Sequence, residues 1–186
     1  LGESKYYAML VAMSGVMVGL GCAADIFNLW LWFEAMAITS YLLVAFYRDQ
    51  PASLEAGIKY LVQSAVGSVF VLLGVALVLA QTGTLDIVQI QAHVAAQPDS
   101  LALLVAGGLF IVGFGVKIAI VPMHTWLPDA HSQAPSGISA MLSGVVIEAG
   151  LIALLRALAP LAGTASTWGI LLIFFGVLNM ILGNLL

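Results

Sequence analysis

Lys117, Glu148 and Glu34 are ionisable residues set inside long apolar runs. Seventeen uncharged residues, Ser100 to Val116, precede the lysine, and sixteen, Ser132 to Ile147, precede Glu148. Glu34 is followed by thirteen uncharged residues before Arg48. A charge at the centre of a bilayer costs several kcal/mol, and such residues usually line paths for ions or protons. A lysine and carboxylates at one depth can bind a proton and pass it on. Lys117 and Glu148 each lie about sixteen residues from the polar turn near Ser132, at most about 24 Å at 1.5 Å per helical residue. A hydrocarbon core is about 30 Å thick, so both fall near its middle. The matched depth also allows the two to form an ion pair.

The stretch between them, PMHTWLPDAHSQAPS, holds His124, Asp129, His131 and three prolines. Pro122 cannot donate to the Ile118 carbonyl and its ring crowds it, so a helix is predicted to break just after Lys117. Broken membrane helices occur where the freed backbone lines a cavity or is buried in protein. A charge beside such a break is an arrangement used for ion sites in transporters. The bland alternative is a proline-kinked helix whose lysine pairs with Glu148 only to hold a bundle together. His124 and His131 are candidates for taking protons from water. With only Asp129 nearby they do not make a metal-ligand set, and no metal is expected.

The elements that position these groups are apolar spans. Tyr6 to Ala24 is one, with glycines for close packing and Cys22 read as a buried small residue. Ile26 to Tyr47 is the second and carries Glu34, with Asp25 or Asn28 as its cap. Gly57 to Ala80 is the third. Lys59, near its start, either snorkels to the interface or tunes a nearby carboxylate, and Ser64 and Ser68 form a polar stripe. In the loop Gln81 to Ser100, Asp86, Ile87 and Ile90 suggest a short interfacial helix, with His93 solvated. The fourth span is the broken one. The fifth carries Glu148 on roughly one face with Gly137 and Gly144, and Arg156 near its far end. Trp168 to Leu186 is the sixth, where Asn179 makes a helix–helix hydrogen bond. Lys5, Arg48 and Lys59 fall on one side, read as cytoplasmic.

The chain has 186 residues, 62% hydrophobic and 8% charged, where a soluble domain carries about 25% charged residues. It is an all-α membrane protein with six transmembrane helices, part of a larger helical bundle. It forms a single transmembrane domain over residues 1–186, expected to be a fragment of a longer subunit. One cysteine rules out an internal disulfide. A net charge of −4 without a basic patch excludes nucleic acid as a partner. There is no nucleotide loop, cysteine cluster or haem signature, so no cofactor is expected.

The segment GFGVKIAIVPMHTWLPDAHSQAPSGISAMLSGVVIEAGLIALLR resembles the antiporter-like membrane subunits of complex I, related to Mrp-type cation/proton antiporter and membrane-bound hydrogenase subunits. DIFNLWLWFEAMAITSYLL is similar to the family helix that carries a membrane glutamate, and TGTLDI also fits. The resemblance implies a proton-translocating subunit of a complex I-type NADH:quinone oxidoreductase, itself non-catalytic in redox chemistry. It implies an integral place in a bacterial or archaeal cytoplasmic membrane or an organelle inner membrane, with other membrane subunits as partners. It implies proton-translocation roles for Glu34, Lys117 and Glu148 and allows Lys59 a tuning role, while His124 and His131 are the candidates for proton entry on their own chemistry. Most family members carry a lysine where this chain has Glu148, which leaves relay or pairing open there. An Mrp-type sodium/proton antiporter subunit, a membrane-bound hydrogenase subunit and a non-transporting scaffold are the alternative readings.

Overall fold

Asp25 opens the second helix and Asp86 the fourth, each accepting from backbone N–H groups of the first turn. These caps punctuate an otherwise apolar chain. The computed structural model describes residues 2–165 and 168–185, and their regular structure is helical. The α-helices are α1 (Gly2–Cys22), α2 (Ile26–Val44), α3 (Pro51–Thr82), α4 (Ile87–Ala96), α5 (Leu101–Lys117), α6 (Trp126–Gln133), α7 (Ser136–Met141), α8 (Ile147–Leu158) and α9 (Trp168–Leu185). A π-turn, Leu142–Val146, joins α7 to α8, and a 3-10 turn, Ala159–Thr164, follows.

Among the described residues, five helical runs are long and apolar enough to cross a membrane: α1, α2, α3, the continuous run Ser136–Thr164, and α9. The sixth expected span is α5. Its 17 residues reach about 26 Å, short of a 30 Å core, because the helix stops at Lys117. Residue 186, the last of the expected sixth span, lies outside the described residues. The short helix the sequence suggested is α4, with Asp86 as its cap, but His93 belongs to that helix and its Nε2 atom is buried, not solvated. Cys22 is exposed rather than buried, since it is the last residue of α1 and faces outward.

The core forms where α3 packs against α2 and α5. Glycines let α3 and α5 approach closely. A Cβ on Gly113 would stand 2.5 Å from the Gly67 carbonyl oxygen, and one on Gly74 would meet the Phe110 ring at 2.6 Å. On the other side of α3, Trp30 Nε1 donates to Ser68 Oγ at 3.0 Å and Ser53 Oγ donates to the Val44 carbonyl at 3.1 Å. Both tryptophans of α2 are packing residues, Trp32 covering Gly19 of α1. Arg156 ties α8 to the end of α1 by donating to the carbonyls of Leu20, Gly21 and Ala23. These carbonyls lie in the last turn of α1 and just beyond it, where a helix end leaves acceptors for other donors.

Candidate functional site

The break after Lys117 has a local cause beyond Pro122. Ile120 N–H donates to the Gly115 carbonyl at 2.9 Å and Ala119 N–H to Val116 at 3.2 Å. That is the Schellman ending of a helix, with Ala119 at the left-handed position, φ 53°. The N–H of Val121 then has no helical acceptor. Asn179 of α9 supplies one, its Oδ1 accepting at 3.0 Å. The expected helix–helix bond of Asn179 is thus a bond to the broken backbone.

Lys117 is the last residue of α5 and only 1% exposed. Its Nζ donates to the phenol oxygen of Tyr60 at 2.5 Å. Tyr60 is fully buried and stacks on Trp126, with centroids 3.9 Å apart and planes 2° from parallel. Trp126 Nε1 donates in turn to the Val116 carbonyl at 2.7 Å. A closed ring of contacts therefore runs from α5 through α6 to α3 and back to Lys117. Sequence reading missed Tyr60 and Trp126. The only signal for Tyr60 was its place beside Lys59, in a span where a tyrosine reads as packing.

Glu34 lies level with the lysine. Trp30 meets Ser68, so one turn on along α2 Glu34 comes level with Ser64. Gly113 meets Gly67, so one turn on along α5 Lys117 comes level with residues 63–64. Yet the two are not joined: among the described residues the ion pairs within 4.0 Å are both made by Lys59. Glu34 Oε1 and Ser64 Oγ are buried without a hydrogen-bond partner. The lysine side chain runs a further turn along α3, to Tyr60.

Glu148 does not pair with Lys117. It is Gly150 that lies against the lysine stem, its built Cβ 3.4 Å from Lys117 Cγ. Two helical residues apart is about 200° of rotation, so Glu148 points away, and it is exposed. Gly137, Gly144 and Glu148 are all exposed, in keeping with a shared face, but that face is not the one turned to Lys117, so matched depth does not make a pair.

The remaining candidates gather where α3 meets α6. Lys59 is 48% exposed and pairs with Asp129 and Glu55, both at 2.8 Å, rather than with a buried carboxylate. Gln63 donates to Thr125. His131 Nδ1 shares a hydrogen with Ser139 Oγ at 2.7 Å, and His124 Nδ1 is buried without a partner. Polar groups thus lead from an exposed ion triad toward the break, while Glu34 and Lys117 hold the interior. Glu148 stands apart on an outer face.

A family model described as NADH:quinone oxidoreductase/Mrp antiporter, transmembrane, matches residues 23–186. The chain is 36% identical over 184 residues to NADH-quinone oxidoreductase subunit N of Desulfitobacterium hafniense, covering 97% of this chain and 37% of that protein. It is similar in fold to a chain of the membrane-bound sulfane sulfur reductase, an archaeal respiratory membrane complex, with TM-score 0.79 and 34% identity over 90% of this chain and 34% of that one. It is also similar to a chain of the Mrp complex from Dietzia sp. DQ12-45-1b, with TM-score 0.73 and 28% identity over 82% of this chain and 29% of that one. The chain thus spans little more than a third of the length of its curated relative.

Proposed function

This chain belongs to the NADH:quinone oxidoreductase/Mrp antiporter membrane family, and we propose that it is the proton-conducting part of an antiporter-like subunit in a complex I-type NADH:quinone oxidoreductase. The observation that carries the proposal is Lys117, an amine 99% buried at the end of a helix that breaks within an apolar run. Such a residue is expensive to keep in a membrane, and structural stability alone is a poor reason for it. Its neighbour at the same level, Glu34, has an oxygen free to bond. Glu34 is level with Lys117 but not bonded to its amine, so a small movement that joins or parts the two can load or unload a proton.

In this reading protons arrive past the polar groups of α6, with His124 and His131 at the entry and Lys59 holding α6 through Asp129. They pass between Glu34 and Lys117. Glu148 serves as an exit carboxylate that hands a proton to a group outside this chain, because its exposed face suits that role and its distance from Lys117 does not suit a direct pair. The relative named as an NADH-quinone oxidoreductase subunit supports the complex I assignment. The likeness to a chain of an Mrp complex supports a second reading, a sodium/proton antiporter subunit. The test is ion flux in vesicles reconstituted with the full-length subunit in its complex. Proton flux that tracks quinone reduction and persists without sodium supports the first reading. Sodium-dependent flux without redox coupling supports the second.

A further inference from the structure

Lys117 is held in a place that the relay reading does not account for. If it only exchanged a proton with Glu34, its amine should lie at the level of Glu34. Instead it reaches a turn further along α3, to a neutral phenol. That phenol is fixed from behind: Tyr60 is fully buried and stacked flat on Trp126, whose ring N–H is anchored to the Val116 carbonyl. Trp126 is the first residue of α6 and Val116 the residue before Lys117. The ends of the broken segment therefore grip the ring that receives the amine.

A phenol and a carboxylate are different partners for an amine. An ionised carboxylate only accepts hydrogen bonds, so it engages an ammonium well and a neutral amine weakly. A phenol both accepts and donates. It can accept from an ammonium, or turn its O–H to the lone pair of a neutral amine. Titratable groups on the packed elements leave this place to Tyr60. From α2 come Glu34, level with the next turn, and Tyr41, whose ring meets Tyr60 edge-on at 6.4 Å. On α3 Lys59 points outward to Asp129 and Glu55. On α6 Asp129 is taken by Lys59, and His131 is bonded to Ser139. On α8 Gly150 faces the lysine and Glu148 points away.

We propose that Tyr60 is a positioning residue, a second docking point where Lys117 is held clear of Glu34 in either charge state. The proposal rests on the relay reading above. It adds that Lys117 alternates between two places, a carboxylate that keeps it charged and a phenol that tolerates its deprotonation.

The test uses the full-length subunit in its complex, reconstituted in vesicles, with flux measured against pH. Tyr60→Phe keeps the ring for Trp126 and removes only the hydroxyl. A bond from a charged donor is about twice as strong as a neutral one, so the docked ammonium loses more than the neutral amine does. Flux should fall about tenfold, and the alkaline limb of its pH profile should move about one unit toward acid, a tenfold change in the protonation equilibrium. A lower flux with an unmoved profile would mean that Tyr60 is a packing residue and would overturn the proposal. If the phenylalanine variant fails to assemble, 3-fluorotyrosine at position 60 replaces it. Its more acidic phenol donates better and accepts worse, so the limb should again move toward acid, and an unmoved limb overturns the proposal. Lys117→Ala separates the two ideas. Full flux in that variant defeats the relay and the docking point together. Lost flux there, with Tyr60→Phe unchanged, defeats the docking point alone.

Discussion

The amine of Lys117 lies 2.5 Å from the phenol oxygen of Tyr60, while no carboxylate of the described residues comes within ion-pair distance of it. A buried lysine without a counter-ion in contact is unusual, because breaking up or omitting a buried pair leaves a charge uncompensated.

The glycine pair between α3 and α5 sets where that lysine sits. Gly113→Ala would place a methyl 2.5 Å from the Gly67 carbonyl and 2.6 Å from a Val71 methyl. Both obstacles belong to well-packed structure, so α5 must shift one turn before Lys117. Overpacking of this kind costs about 1–3 kcal/mol. The thermal midpoint of the purified complex should fall, whereas Gly108→Ala, whose Cβ meets nothing within 4 Å, should leave it unchanged.

Ala119 takes the left-handed conformation in which a side chain crowds the backbone. The strain is roughly 1–2 kcal/mol, and glycine escapes it. Ala119→Gly should therefore stabilise the break, offset in part by the greater freedom of glycine in the unfolded chain. Denaturation of the complex should show equal or higher stability for this variant, and a clear loss would contradict the Schellman geometry. Ala119→Val should be worse than wild type, because branching at Cβ makes positive φ harder.

Asn179 satisfies the N–H of Val121 across 58 residues of sequence. Asn179→Leu keeps the bulk and removes the acceptor. An unsatisfied buried N–H costs about 1–3 kcal/mol. Amide exchange at Val121 should quicken by tenfold or more, with little change at residues early in α5 such as Leu104.

Glu148 faces away from Lys117, so it is not a structural counter-charge for it. Glu148→Gln should leave assembly unchanged. Glu148→Lys should assemble as well as wild type, since the two amines would lie on opposite sides of α8. Yield of the complex by gel filtration measures this. Failure of the lysine variant to assemble, with the glutamine variant normal, would show that the charges meet after all.

Much of this was legible from charge and proline in apolar runs. The stop at Lys117, the cap at Asp25 and the short helix after Asp86 follow from rules local to a few residues, whereas the sequence marks Asn179 as a polar link without its partner, the broken backbone at Val121. What escaped depends on how distant turns face each other. Tyr60 looks like packing until α5 is laid against it. Ala119 carries no sign of a left-handed residue, where glycine is the usual marker. The pairing of Glu148 with Lys117 rested on matched depth alone, and depth does not say which face of a helix meets its neighbour. Lys59 was drawn away from the interior by Asp129, seventy residues off, a partner that only the fold of α6 onto α3 supplies.

The most direct measurement is proton flux in vesicles carrying the complex with Lys117→Ala in the full-length subunit, with assembly verified by co-purification. Loss of coupled flux in an assembled complex is expected, because the variant removes the one amine buried at the break. Wild-type flux in the same assembled complex would contradict the relay, and with it the role given to Glu34 and Tyr60.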